Sequence, residues 1–95
     1  MKPISERERI QSDDSLKSEI RGIVELKGGY YLAGSKKGYI GIYESKELKL
    51  INKFKIKEIK DIFHLSKIKD DNLDLIGIAS NLNDVIVISV FKKDN

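Results

Sequence analysis

Cysteine is absent from the 95 residues. Disulfide bridges, thiolate zinc sites and a cysteine nucleophile are therefore excluded. Histidine occurs once, and no other histidine or carboxylate stands at ligand-type spacing around His64. A strand histidine, partly buried or on the surface, is expected there rather than a metal ligand or general base. No apolar run approaches the about 20 residues of a membrane-spanning helix. The opening MKPISERERI likewise lacks the hydrophobic segment of a signal peptide. No membrane partner and a cytoplasmic location are the expectations. Long runs of like charge are also missing, and 18 Lys and Arg against 15 Asp and Glu leave a net charge of only +3. Charge alone therefore calls for no nucleic-acid partner. What remains is 40% hydrophobic and 35% charged over 10.8 kDa, the composition of one small globular unit.

Residues 1–18 hold Ile4, Ile10 and Leu16 as their only branched apolar side chains. They are expected to form a flexible polar arm, removable without loss of fold. From Ile20 onward, short segments rich in Ile, Val, Leu, Tyr and Phe alternate with Gly, Lys, Asn and Asp clusters, the pattern of a strand meander. Seven strands are expected: Ile20–Leu26, Tyr30–Ser35, Tyr39–Glu44, and residues 48–55, 59–66, 73–80 and 84–91. A helix over 46–65 is the rival there. The alternation of Leu48, Leu50 and Phe54 with Lys49, Lys53 and Lys55 favours strand.

The chain repeats itself. IRGIVEL at Ile20 aligns with IKDIFHL at Ile59, and YYLAGSKKGYIGIYE at Tyr30 with LIGIASNLNDVIVISVF at Leu75. Ser80 then matches Ser35, and Ile86 and Ile88 match Ile40 and Ile42. The stretch Leu32-Ala33-Gly34-Ser35-Lys36-Lys37-Gly38-Tyr39-Ile40-Gly41-Ile42-Tyr43-Glu44 resembles the WD-repeat β-propeller blade, with Tyr43-Glu44 where that family has tryptophan-aspartate. Lys37 stands at the usual turn aspartate, and no glycine-histidine pair precedes Ile20. The resemblance implies an all-β fold of two blades, residues 19–55 and 56–95, the second lacking its outermost strand. Two blades cannot close a ring. The resemblance therefore implies part of a larger or oligomeric propeller and a non-enzymatic protein-interaction or scaffold role. A protein partner or further copies of the chain would complete the assembly.

Antiparallel order brings one set of turns, with Lys36, Lys37, Lys55, Lys57, Glu58, Asn81 and Asn83, to one end of the sheets; in the resembled family this end is commonly the partner-binding face, so the resemblance implies that these are the candidate partner-binding residues. The last strand, with Val85, Val87, Ile88 and Phe91, carries neither charge nor proline and is the candidate assembly edge. Other features give no chemistry. Asp70-Asp71-Asn72-Leu73-Asp74 lacks the glycine and glutamate of a calcium loop and reads as a solvated turn. The glycines precede no helix that could present its N-terminus to a phosphate, and Ser35 and Ser80 have no base in view. No cofactor or metal site is expected. Residues 46–60 carry six Lys and two Glu, but few aromatics interleave with them. The alternative reading is a small basic barrel or sandwich binding RNA or a phosphorylated ligand.

Overall fold

The computed structural model describes residues 5–90. A short helix, α1 (Glu6–Gln11), precedes seven strands: β1 (Ile20–Leu26), β2 (Tyr30–Ser35), β3 (Tyr39–Glu44), β4 (Leu50–Lys55), β5 (Ile62–Ile68), β6 (Asp74–Ser80) and β7 (Ile86–Val90). The fold is the all-β antiparallel meander expected. β1 to β4 make one sheet in chain order and β5 to β7 a second. The segment 46–65 contributes strands and no helix. The fourth, sixth and seventh strands start a residue or two later than their apolar runs. β5 starts three residues later, at Ile62, because Ile59 is consumed as a fully buried anchor of the preceding turn. Phe91 lies outside the described residues. Among those residues no helix is long and apolar enough to cross a membrane.

Cross-strand pairing fixes which side chains share a face. Val24, Leu32 and Ile42 stand opposite one another, as do Gly22, Gly34 and Ile40. This face of the first sheet packs on Leu65, Ile76 and Ile78 of the second, and the two form one core. The approach is close. A Cβ at Gly22 would lie 2.9 Å from Leu65 Cβ, and one at Gly34 would lie 2.8 Å from Leu65 Cδ1.

The register also corrects the alignment of the repeat. In both sheets the second strand ends on a serine opposite the first strand's opening residue, Ser35 on Ile20 and Ser80 on Ile62. Counting from those serines, Val85 and Val87 hold the places of Ile40 and Ile42, and Ile86 and Ile88 fall one residue out of step. The slip moves them to the opposite face. Ile86 and Ile88 pack toward the core, whereas Val85 and Val87 are 63% and 54% exposed. By the same count His64 matches Gly22 rather than Glu25; it is exposed.

The flexible polar arm expected over residues 1–18 is corrected too, over its described residues 5–18. Ser5 caps α1, its hydroxyl accepting from the Glu8 N–H at 3.1 Å. The helix and the turns after it then lie over the outward face of the first sheet. Ile10 and Leu16 are 1% and 0% exposed, packed with Ala33 and Tyr43. Polar contacts hold the segment down at several points. Ser35 Oγ donates to the Leu16 carbonyl at 3.0 Å, and Tyr43 Oη donates to Asp13 at 2.8 Å. Gln11 Nε2 and the Arg7 guanidinium donate to the carbonyls of Ile20 and Ile23. The segment is polar because one side faces water, and its two buried apolar side chains fall where the sheet needs them.

Leu16→Ala is expected to lower stability by about 2–5 kcal/mol, the range for a buried leucine, and to shift the urea midpoint accordingly. An unchanged midpoint would restore the free-arm reading. A second expectation concerns acid. Burial opposes ionisation of Asp13, but hydrogen bonds from Tyr43 and Ser15 outweigh it and hold the carboxyl below its ordinary value. A pKa lowered by folding means that the stabilisation is complete above the ordinary carboxyl range and is lost as pH falls through the folded value. Asp13→Asn should therefore flatten the acid limb of the stability-against-pH curve, measured by urea melts. A limb of undiminished steepness would show that Asp13 contributes nothing to it.

Candidate functional site

The turn after β2 (Lys36, Lys37 and Gly38) is tied by its main chain to the connection between β4 and β5. The Ile62 N–H donates to the Lys36 carbonyl at 2.8 Å, and the Ile56 N–H to the Gly38 carbonyl at 3.2 Å. Gly38 has a φ of +93°. A Cβ there would stand 2.7 Å from the Ile59 carbonyl oxygen, so both conformation and space require glycine. Ile59, fully buried, pins the connection from below and leaves Lys57 and Glu58 exposed at its tip. The N-terminal segment joins the cluster: the Lys36 N–H donates to the Glu19 carbonyl at 2.7 Å and the Lys37 N–H to Ser18 Oγ at 3.0 Å.

The candidate residues therefore play different parts. The side chains of Lys36, Lys37, Lys57 and Glu58 are exposed beside one another's turns. Lys55 is exposed as well, and its Nζ reaches the Ile59 carbonyl at 3.3 Å. Asn81 is a clamp. Its side-chain oxygen accepts from the Lys60 and Asp61 N–H groups at 2.9 and 3.0 Å, and its own N–H donates to the Asp61 carbonyl at 3.1 Å. That oxygen is occupied by the fold. Asn83 is exposed on the next turn. Lys60, which the motif reading passed over, is exposed on the same connection. Its position in the lysine-rich run was the available signal. At the assembly edge, Val85 and Val87 are exposed and Ile88 is half-buried.

The opposite end carries a second cluster that sequence reasoning missed. Asp74 is a buried residue, 8% exposed, and its side chain faces the first sheet's end. It accepts from the Lys27 N–H through both oxygens, at 3.2 and 3.0 Å, and meets Lys67 Nζ at 3.7 Å. The Lys27 ammonium in turn donates to the carbonyls of Asp70 and Asp71 at 3.0 and 2.9 Å. Asp70 folds that turn by accepting from the Asn72 and Leu73 N–H groups, and these bonds hold its carboxyl below the ordinary range. The acidic run is thus a turn built to receive a lysine. Beside it, lined from both sheets, lies a cleft of about 510 Å³ whose apolar lining includes Leu26, Tyr30, Ile42, Ile51, Leu73 and Val90. Among the described residues no three His, Asp or Glu side chains gather as a metal centre would require.

Compared with protein families, curated proteins and solved structures, the chain matches none.

Asn81→Ala is expected to cost about 1 kcal/mol, since its bonds are partly replaced by water, and to speed amide exchange at Lys60 and Asp61 specifically. Unchanged protection at those two amides would show that the clamp does not hold the connection.

Proposed function

We propose that the chain is a non-enzymatic protein-interaction module of WD-repeat type, with two blades belonging to a larger assembly, and that the end bearing Lys36, Lys37, Lys57 and Lys60 contacts an acidic surface of the partner. A single observation carries this reading: two exposed lysine-bearing turns are held to each other by main-chain hydrogen bonds. A rigid surface of this kind loses little conformational entropy when a partner docks. The blade assignment draws support from the way the sheets stack. The face of the first sheet toward the second corresponds, strand by strand, to the face the second sheet turns outward. Successive blades of a propeller stack in that sense. A cytoplasmic setting belongs to the same proposal, supported by the lack of cysteine.

The basic-domain alternative would use the same lysines, so the test compares two probes of equal charge, a glutamate-rich peptide and a single-stranded RNA oligonucleotide. The peptide is expected to bind, and the paired substitution Lys36→Ala, Lys37→Ala should weaken it several-fold while the far-ultraviolet spectrum stays that of the wild type. Preferential binding of the RNA with a steep salt dependence, the mark of counterion release from phosphates, would replace this proposal with the alternative.

A further inference from the structure

Both faces of the first sheet are covered, one by the second sheet and the other by the N-terminal segment. Among the described residues, only the inner face of the second sheet is covered. Its outward face is formed by His64, Ser66 and Ile68 of β5, Leu75, Gly77 and Ala79 of β6, and Val87 and Ser89 of β7, with Val85 beside Gly77. Ile68 is 37% exposed, and Leu75 and Ala79 are half-buried. We infer that a second copy of this chain covers this face, packing its own second sheet against it about a two-fold axis.

Three observations select that occupant. The first is the repeat. Leu75, Gly77 and Ala79 correspond to Tyr30, Leu32 and Gly34, which lie on the first sheet's covered face, and Leu32 there is fully buried. The outward face is therefore of a kind that another sheet covers. The second is the N-terminal cap. A head-to-tail copy would have to offer the outward face of its first sheet, and Ile10 and Leu16 already fill that face. With the heterologous route blocked, the self-association left is isologous, in which each copy presents the same patch. The third is charge. In a chain with 35% charged residues and a net charge of +3, the strand positions of this face carry no Lys, Arg, Asp or Glu, and His64, opposite Ala79 at the end of the patch, is their one titratable side chain, so two copies meet over Ile68, Leu75, Gly77 and Val87 without like-charge repulsion. Gly77, Ala79 and Ser66 are small and permit the about 10 Å separation of packed sheets. The exposed edge of the first sheet differs, since Lys53 and Lys55 on β4 repel a second copy.

This inference concerns a different surface from the lysine-bearing end, and the two can fail separately. Sedimentation of the full chain over a range of concentrations is the test. The expected result is a species of twice the chain mass that dissociates on dilution. Val87→Lys and Ile68→Lys should each abolish it, and the Lys36→Ala, Lys37→Ala pair should leave it unchanged. Ser66→Lys, at an exposed position on the same face, gives the same reading if Ile68→Lys fails to fold. Ile68 lies on β5, at the opposite edge of the three-stranded sheet from β7. A dimer broken by Val87→Lys but surviving both β5 substitutions would pair through the edges of β7 and would overturn the face-to-face arrangement. A monomer at every concentration would overturn the inference outright.

Discussion

The two sheets depend on the seating of Leu65 against Gly22 and Gly34. Sheets of three and four strands need an apolar face covered before they are stable, and here each covers the other through β1 and β5. Any side chain at the two glycines would meet Leu65 at under 3 Å, so the bare backbone of β1 and β2 sets how near the sheets can come. The ends of the molecule follow from that spacing. At one end the Ile62 N–H reaches the Lys36 carbonyl; at the other, Asp74 reaches the Lys27 N–H. Both are short contacts to main-chain groups, one from an N–H and one from a carboxylate, available only to sheets already in close approach. A buried carboxylate such as Asp74 is tolerable only because it is ion-paired and accepts charge-assisted hydrogen bonds.

The polar segment before β1 follows the same logic on the other side. Tyr43 is buried on the face away from the second sheet. A buried hydroxyl needs a partner. Asp13 supplies it, and the Leu16 carbonyl supplies one for Ser35. The contact also raises the Tyr43 hydroxyl pKa, through burial first and the Asp13 bond second. Ile10 and Leu16 add the apolar cover, and a Cβ at Gly41 would stand 2.9 Å from Leu16 Cδ2. The segment does for the first sheet what the first sheet does for the second.

How much of this was legible in the sequence depended on whether the signal was local. β1, β2 and β3 were placed correctly because Lys27-Gly28-Gly29 and Lys36-Lys37-Gly38 mark their turns with glycines at positive φ. The second repeat was readable as strands but not in register. Matching isoleucine to isoleucine inserted a residue that the structure does not contain, whereas equal spacing from Ser35 and Ser80 would have put Val87 in the place of Ile42. The cover provided by Ile10 and Leu16 had no periodic signal, since two isolated apolar residues in a polar stretch look the same whether or not a sheet face awaits them. Asp74 was hidden for the opposite reason. It closes an acidic run that reads as solvated, and the N–H that buries it comes from Lys27, 47 residues away. The lysine-bearing turns were found because antiparallel order alone brings them to one end; that Asn81 works as a clamp there is a tertiary fact.

The corrected register bears most directly on what the molecule can assemble with. With Ile86 and Ile88 outward, the second sheet would show a large, strongly apolar surface to water. With Val85 and Val87 outward it shows smaller side chains over Gly77 and Ala79, while the isoleucines complete the inner core. Such a face is apolar enough to gain from burial, at about 25 cal/mol per Å², and uncharged enough not to resist it. The cap at the other end of the stack covers the first-sheet face on which a head-to-tail series of copies would have to continue. Under the pairing inferred above, one closed face and one open face would make a molecule that ends an assembly on one side and joins it on the other. In that arrangement the difference between a unit that polymerises and one that pairs would rest on two apolar residues, Ile10 and Leu16, and on the hydrogen bonds that keep them in place.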